Sequence, residues 1–333
     1  MTYRITLLPG DGIGPEICEA MTRVVAASGV DVEWDRQLAG TAALESTGEV
    51  VPAALLESLR TNRVGIKGPI TTPIGKGFTS ANVTLRKSLD LYAGLRPTRV
   101  IPELRPQFAG VDIVVVRENT EGLYAGLEHT IVPGVVASLK VITERATRRI
   151  ATYAFEYART HGRRKVTAVH KANIMKLADG LFLDCCRQVA SRYPEIAYDE
   201  IIIDNCAMQL VMNPMRFDVL VMENFYGDVL SDLCAGLAGG LGVVPGANLG
   251  DDCALFEAVH GSAPDIAGQD RANPTAIILS AALMLRHLGE TRAAERIEAA
   301  VHRVIAARSA VTPDLGGTAG TRAMTDAIVA ALA

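Results

Sequence analysis

Short apolar runs alternate along the whole chain with longer stretches of helical apolar spacing. The runs RITLLP, VGIKGP, VDIVVVRE, KVTAVHK, YDEIIID and FDVLVMEN are typical of buried strands. Helical spacing of apolar residues occurs in PEICEAMTRVVAAS, TERATRRIATYAFEYARTHG, GLFLDCCRQVASRY and TRAAERIEAAVHRVIAARS. Strands that alternate with helices in this way predict an α/β protein with a largely parallel sheet.

Glycine-rich segments indicate where the chain passes from one domain to another. The segments AGLAGGLGVVPGANLG (235–250) and LYAGLRP (91–97) interrupt the alternating pattern. We therefore expect a large domain built from residues 1–92 and 239–333, with a small domain of residues 93–238 inserted between them. The longest apolar run, AIILSAALML (276–285), is too short to cross a membrane and predicts a buried helix.

Composition and charge limit the partners and the compartment that this protein can have. A net charge of −4 gives no support for a nucleic-acid or membrane partner. The first residues, MTYRITLLPG, have no secretory or transit character, because a predicted strand and turn begin at once. The six cysteines form no CxxC pair, and we interpret them as reduced core thiols of a cytoplasmic protein.

The charges are distributed unevenly. Residues 62–117 hold nine Lys or Arg against three acids, whereas residues 217–270 hold nine acids and no Lys or Arg. A basic block suits a polyanionic small molecule, and an acidic block without its own cations suits a metal ion. Two solvated surfaces of opposite sign would give the same pattern, so the blocks alone leave both interpretations open.

The turn LLPGDGIGPE (7–16) invites comparison with a dinucleotide-binding turn. Three glycines follow an apolar strand, a helix begins near Pro15, and Asp31 and Glu33 lie about 20 residues further on. The spacing G-x-G-x-G nevertheless differs from the Rossmann fingerprint G-x-G-x-x-G. The turn is therefore a weak indication of a cofactor site.

Three aspartates are candidate metal ligands. Asp228 and Asp232 stand four residues apart, so a helix places both carboxylates on one face. Asp204 is expected at the end of the strand EIIID, and three carboxylates would suit Mg²⁺ or Mn²⁺. Like charges at this spacing cost only about 0.2–0.5 kcal/mol on an exposed helix, so a solvated face explains the pair equally well.

Arginines are concentrated in SANVTLRKSLDLYAGLRPTRV and at the end of VDIVVVR. Arg86, Arg96 and Arg117 carry guanidinium groups that bind carboxylates through two hydrogen bonds, although most single arginines are surface residues. Ser80 and Asn82 precede them and could bind a further acid group or cap a helix.

Tyr124 in RENTEGLYAG and Lys171 in VHKANIMK lie where predicted strands meet loops. Most tyrosines in such positions are structural, and most lysines are solvated. Either residue becomes an acid or base candidate only with a shifted pKa.

Seven segments together resemble the β-decarboxylating dehydrogenases, the family of isocitrate, homoisocitrate and isopropylmalate dehydrogenases. They are GDGIGPE, KGPITTPIG, SANVTLRKSLDLYAGLRP, VRENTEGLYAG, VHKANIMK, YGDVLSDLCAGLAGGLG and HGSAPDIAGQDRANPTA, and the match runs in one order along almost the whole chain. The resemblance implies the two-lobed fold of that family, with a mostly parallel central sheet and no Rossmann dinucleotide fold. It also implies that the glycine turn is a loop at the edge of the active-site cleft.

The resemblance implies NAD as the cofactor. Asp265 would accept hydrogen bonds from the adenosine ribose and repel a 2′-phosphate, whereas NADP-using relatives carry Lys-Tyr at positions 265 and 266. Those relatives tend to place Tyr and Arg where this chain has Pro313 and Gly317. The implied cofactor-binding residues are Ile13, Asn173, His260, Gly261, Ser262, Ala263, Asp265, Ile266 and Asn273.

The resemblance also favours isocitrate as the substrate. Isocitrate-using relatives carry the pattern Ser-x-Asn-x-x-x-Arg, which Ser80, Asn82 and Arg86 match. The segments DNCAMQLVM and TPDLGG resemble homoisocitrate enzymes instead, so that substrate stays open, as does 3-isopropylmalate. The implied substrate-binding residues are Thr72, Ser80, Asn82, Arg86, Arg96 and Arg117.

The implied reaction is an NAD-dependent oxidative decarboxylation to 2-oxoglutarate and CO₂. Tyr124 and Lys171 would act as acid and base, and Asp204, Asp228 and Asp232 would bind Mg²⁺ or Mn²⁺. By family likeness Lys171 and Asp204 enter the site of the partner subunit, which implies a homodimer. A different class, the non-catalytic regulatory subunits, has lost acid/base or metal residues that this chain retains.

Overall fold

The apolar runs of the chain form a regular series of strands and helices. The structure is a computed structural model, and it describes residues 2–71 and 80–332. The strands are β1 (Tyr3–Leu8), β2 (Val32–Arg36), β3 (Val64–Lys67), β4 (Ala93–Arg99), β5 (Asp112–Glu118), β6 (Gly122–Val132), β7 (Val135–Val141), β8 (Lys165–His170), β9 (Ala197–Ile202), β10 (Val219–Met222), β11 (Pro245–Leu249) and β12 (Ala254–Ala258). The α-helices are α1 (Gly14–Ala27), α2 (Thr41–Thr47), α3 (Ala53–Asn62), α4 (Ala81–Ser88), α5 (Glu144–Thr160), α6 (Ala178–Ala190), α7 (Ile203–Met212), α8 (Asn224–Ala238), α9 (Thr275–His287), α10 (Thr291–Ala307) and α11 (Thr321–Leu332).

The first of two compact units comprises residues 1–90, 100–109 and 238–333. Its strands lie in the order β2-β1-β3-β12-β11, and the β2–β1, β1–β3 and β3–β12 pairs are parallel, whereas β11–β12 is antiparallel. The apolar run at 276–285 forms α9, which packs against β11 and β12 and buries Ile277, Ile278 and Leu285 completely. None of the helices formed by residues 2–71 and 80–332 combines the length and the hydropathy of a membrane span.

The second unit comprises residues 91–99 and 110–237. Its strands lie in the order β4-β5-β10-β8-β9, with parallel pairing apart from β4–β5, and β6 and β7 form a separate antiparallel ribbon. Helix α5 begins after Thr143, whose hydroxyl accepts the Ala146 N–H at 3.2 Å. Its apolar face, which includes Ile150 and Phe155, packs against β5, β8 and β10.

These elements confirm the predicted α/β class with a mostly parallel sheet. The six cysteines are buried and unpaired, as expected of core thiols. One detail was wrong: Asp204 does not end a strand but lies in the first turn of α7, because β9 ends with the pair His170–Ile202. Residues 100–109, which the sequence pattern places in the small domain, belong to the first unit, where Leu104 packs near Gly239.

The glycine turn closes onto a neighbouring loop. Gly12 has φ +57°, and a Cβ at this position would lie 2.0 Å from the Ser262 carbonyl oxygen. The Ile13 N–H donates to the same oxygen at 2.9 Å, and the Asp11 carboxylate accepts the Thr71 N–H at 2.7 Å. The small residue at position 12 therefore allows close packing against the loop at Ser262.

Candidate active site

Arg117, Tyr124 and Asp228 form one hydrogen-bonded cluster in the second unit. They lie on β5, β6 and α8, and both Arg117 Nη1 and the Tyr124 hydroxyl donate to the Asp228 carboxylate. Arg117 is only 3% exposed, and its Nε and Nη2 donate to Asn224 Oδ1 at 3.0 and 2.7 Å. The fold thus brings together a buried cation, a phenol and a carboxylate.

The environment of Tyr124 keeps its hydroxyl protonated. Burial raises the pKa of Tyr124 above its ordinary value of 10, and the hydrogen bond to Asp228 raises that pKa further. Because the phenol retains its proton at neutral pH, Tyr124 is suited to donate a proton rather than to accept one.

Asp232 follows Asp228 by one turn of α8, as its spacing predicts. Desolvation raises the pKa of the Asp232 carboxyl, and the charge of Asp228 raises it further, whereas Arg117 and the buried Arg96 act in the opposite direction. A cation between two such carboxylates would relieve their repulsion. Because the donors are oxygens, the pair fits a hard cation such as Mg²⁺ or Mn²⁺.

Lys171 and Asp204 form a second pair in the same unit. Lys171 follows β8, and its Nζ lies 2.6 Å from Asp204 Oδ1; this hydrogen bond lowers the pKa of the Asp204 carboxyl. Asp204 is 69% exposed at its side chain. Within the described part of one chain, no three His, Cys, Asp or Glu residues form a group that could hold a metal ion.

Arg86 forms an ion pair with Glu257, a buried acid of the first unit. Its Nη2 lies 3.3 Å from Glu257 Oε1, and Lys67 Nζ lies 2.9 Å from Glu257 Oε2. Asn248 Nδ2 also donates to Glu257 Oε1 at 2.8 Å. One carboxylate therefore orients two cations, and the group keeps a net positive charge that suits an anionic ligand.

Ser80 and Asn82 lie at the start of α4. Ser80 is the residue before the helix, and its carbonyl oxygen accepts the Thr84 N–H at 2.9 Å. Asn82 Oδ1 is buried without a hydrogen-bond partner among residues 2–71 and 80–332. Such a polar atom requires a partner, and a bound substrate would provide one. The predicted substrate residue Thr72 lies outside the described residues.

A cavity of about 350 Å³ in the first unit includes most of the predicted cofactor residues. Its walls include Ile13, His260, Gly261, Ala263, Ile266 and Asn273. Burial lowers the pKa of His260, which is therefore neutral at pH 7. The Asn273 amide donates to Asp314 at 2.9 Å and accepts the Thr275 N–H at 2.9 Å. The volume lies in the range of small-molecule pockets.

Three of the predicted cofactor residues do not line this cavity. Ser262 and Asp265 belong to the loop of this cavity but do not line it, and Asp265 is exposed. Asn173 is exposed on the second unit. At Gly317 a Cβ would lie 2.0 Å from the Val311 carbonyl oxygen, so packing excludes any larger residue there while the loop keeps this conformation.

Sequence reasoning missed the acceptors that orient the arginines. Glu257, which pairs with Arg86, is one of the nine acids between residues 217 and 270. The one sequence feature that could have marked Glu257 as a site residue is its position just before the HGSAPDIAG segment. Asn224, which holds Arg117, begins α8 four residues before Asp228. Because both partners lie more than 100 residues away along the chain, only the folded arrangement reveals these pairs.

Replacing Gly227 with Ala tests the placement of Arg117. A Cβ at Gly227 would lie 2.5–2.6 Å from Arg117 Cγ and Cβ, so we expect a displaced guanidinium and a loss of about 1–3 kcal/mol of stability. Gly236→Ala on the same helix is the control, because its Cβ meets nothing within 4 Å. Substrate KM should rise only in Gly227→Ala; equal kinetics for the two variants would show that Arg117 is not needed in its observed position.

The chain belongs to the isocitrate/isopropylmalate dehydrogenase family, whose model matches residues 4–328. It is 56% identical over 324 residues to the mitochondrial NAD isocitrate dehydrogenase catalytic subunit 5 of Arabidopsis thaliana, covering 97% of this chain and 87% of the relative. It is also 56% identical over 304 residues to the chloroplastic 3-isopropylmalate dehydrogenase of Solanum tuberosum, covering 91% and 85%. The crystal structure of isocitrate dehydrogenase from Methylococcus capsulatus matches with a TM-score of 0.95 and 54% identity over 99% of each chain.

Proposed function

We propose that this chain catalyses the NAD-dependent oxidative decarboxylation of isocitrate to 2-oxoglutarate and CO₂. The observation that carries the proposal is the Arg117–Asp228–Tyr124 cluster, in which a cation, a carboxylate and a proton donor meet. The name of the Arabidopsis thaliana relative supports an NAD-dependent isocitrate dehydrogenase, and the name of the Methylococcus capsulatus structure supports isocitrate as the substrate. The Ser80, Asn82 and Arg86 pattern favours isocitrate over 3-isopropylmalate, which the Solanum tuberosum relative is named for.

The substrate carboxylates are bound by arginines that the fold has already desolvated. Arg96 and Arg117 are 2% and 3% exposed, and Arg86 is 11% exposed at its side chain. Guanidinium groups held in place by buried acceptors lose little conformational entropy when an anion binds. Asn82 lies on the same helix as Arg86. Its amide N–H groups can donate to an additional carboxylate, whereas its buried Oδ1 can only accept a hydrogen bond, for example from the substrate hydroxyl.

The acid/base residues then act at two positions of the substrate, the 2-hydroxyl and C3. Lys171 takes the proton of the 2-hydroxyl, directly or through a water molecule, and Tyr124 later protonates C3 after CO₂ leaves. Asp204, Asp228 and Asp232 would hold a divalent cation, Mg²⁺ or Mn²⁺, whose positive charge would lower the pKa of the hydroxyl and offset the negative charge that develops when CO₂ leaves. The loop 260–266 and Asn273 would hold NAD, which would supply the hydride acceptor.

The second unit exposes an apolar surface that supports a homodimer with shared active sites. Leu177 is 91% exposed, Met212 72% and Val136 63%, and further exposed apolar residues are Leu127, Ile131, Val132, Val135, Leu139, Ile174, Met208, Val211, Phe225 and Val229. Exposed apolar side chains concentrated in one part of a protein are typical of a protein interface. Because this surface includes the neighbours of Lys171, Asp204 and Asp228, a second copy bound here supplies Lys171 and Asp204 to its partner's site.

Formation of NADH by the purified chain with Mn²⁺ tests this function. D-isocitrate, homoisocitrate and 3-isopropylmalate are compared, each with NAD and with NADP. We expect the highest kcat/KM for isocitrate with NAD. Preference for another of the three acids would keep the fold and mechanism but replace the substrate. Absence of activity, together with stimulation of a catalytic partner subunit, would establish the regulatory alternative instead.

The compartment is a separate question from the activity. The unpaired thiols favour a reducing compartment, and we propose the cytoplasm. The Arabidopsis thaliana relative is named as mitochondrial, and the interior of that organelle is also compatible with free cysteines. Microscopy of the tagged chain in its native cell distinguishes the two locations.

A further inference from the structure

A buried polar network, formed by Lys140, Asp179 and Tyr226, contacts the main chain at Lys171. The Lys171 N–H donates to Asp179 Oδ2 at 2.6 Å, and Lys140 Nζ donates to Asp179 Oδ1 at 2.6 Å. The Tyr226 hydroxyl donates to Asp179 Oδ2 at 3.1 Å. Asp179 is 1% exposed, so its carboxylate is removed from water and depends on these three donors.

The network connects three elements of the second unit around Lys171. Asp179 lies on α6, Lys140 on β7 and Tyr226 on α8. Lys140 Nζ also lies 3.1 Å from the Tyr226 hydroxyl oxygen and 4.2 Å from the centre of its ring, and 3.5 Å from Glu223 Oε1. Glu223 in turn accepts the Tyr226 N–H at 3.2 Å, at the start of the helix that carries Asp228.

The sheet provides no hydrogen-bond partner for the Lys171 N–H, so the partner must come from elsewhere. The pairing of β8 with β9 ends at His170, so the Lys171 N–H lies one residue beyond the ladder. The Lys171 carbonyl oxygen already accepts the Ile174 and Met175 N–H groups at 2.9 Å, which turns the chain away from the strand. A charge-assisted hydrogen bond to Asp179 therefore fixes the point at which the lysine side chain departs.

We propose that Lys140, Asp179 and Tyr226 are positioning residues that hold the main chain at Lys171 so that its Nζ reaches the substrate hydroxyl. The inference rests on the proposed function, in which Lys171 takes that proton. These residues do not touch the substrate; they act through Lys171. A displacement of about 1 Å at a reacting group can reduce the rate on the order of 10²-fold, so small losses of this support have a kinetic effect.

Tyr226→Phe is the sharpest test because it removes one hydroxyl and keeps the ring that packs against Lys140. Tyr193→Phe is a matched control in the same unit: Tyr226 and Tyr193 are 7% and 8% exposed, and the Tyr193 hydroxyl also donates to a carboxylate, that of Glu156, at 2.6 Å. Both variants lose a comparable hydrogen bond, but only Tyr226 is linked to Lys171. Each is assayed as the full chain, below its melting temperature, for kcat, isocitrate KM and hydrogen exchange of the Lys171 amide.

We expect Tyr226→Phe to lower kcat by about 3–10-fold with KM within 2-fold, and to speed exchange of the Lys171 amide, whereas Tyr193→Phe changes neither. Asp179→Asn should lower kcat further, by on the order of 10²-fold, if it folds. Equal kcat values for the two tyrosine variants, or an unchanged Lys171 amide, would overturn the inference. Wild-type protein that oxidises none of the three acids would instead overturn the proposed function, so the two failures are distinct.

Discussion

Mixing Lys171→Ala subunits with Tyr124→Phe subunits should restore about a quarter of the wild-type activity, although each variant alone is nearly inactive. Each single variant removes one acid/base group, and such groups contribute on the order of 10²–10⁴-fold to a rate. In a mixed dimer one site combines the intact Tyr124 of one chain with the intact Lys171 of the other. The second site of that dimer lacks both groups.

The value of one quarter follows from the symmetry of the proposed dimer. Random reassembly makes about half of the dimers mixed, and each mixed dimer has one complete site of two. The measurement is NADH formation after the two variants are unfolded together and refolded. Mixed dimers isolated from this mixture by two different affinity tags should have about half of the wild-type activity. Isolated mixed dimers that stay as inactive as the parents would show that Tyr124 and Lys171 serve the same site from one chain.

Asp228→Asn should lower kcat/KM by on the order of 10²–10³-fold and raise the Mn²⁺ concentration needed for half-maximal activity. The Asp228 carboxylate accepts hydrogen bonds from both Arg117 and Tyr124, and it lies one turn from Asp232. An amide keeps the size of the side chain but removes the charge that a divalent cation requires. Removal of metal with EDTA should abolish wild-type activity, and added Mn²⁺ should restore it.

Asp218→Asn is the control for this experiment. Asp218 also pairs with an arginine, because its Oδ1 lies 3.1 Å from Arg163 Nη1. Asp218 lies before β10, however, whereas Asp228 lies after that strand. Loss of the Asp218 charge should affect stability and leave the Mn²⁺ dependence unchanged. A Mn²⁺ titration that is the same in wild-type and Asp228→Asn protein would remove Asp228 from the metal site.

The periodicity of apolar residues was sufficient to predict the class of fold and about half of the strands and helices in the described residues. Helix α8 forms as the four-residue spacing of Asp228 and Asp232 requires, and α9 is buried as its apolar run predicts. The position of Asp204 could not be predicted in the same way, because IIID is apolar enough to continue a strand. Its strand stops where the neighbouring strand stops, and that limit is set by tertiary pairing.

The charge blocks show a second limit of sequence reasoning. The basic block suggested an anionic ligand and the acidic block a metal ion, yet members of the two blocks also bind each other. Glu257 pairs with Lys67 and Arg86, and Asp228 pairs with Arg117. Complementary charges in distant segments thus serve folding as well as ligand binding, and composition does not separate the two uses.

The contact between Gly317 and Val311 also bears on how coenzyme preference can change during evolution. An arginine at position 317, as NADP-using relatives tend to carry, cannot be accepted until the backbone of this loop has moved, because even a Cβ meets a carbonyl oxygen at 2.0 Å. A substitution at position 317 therefore requires a shift of the loop backbone together with the new side chain. Libraries for altering the coenzyme should vary residues 311–317 together rather than position 317 alone.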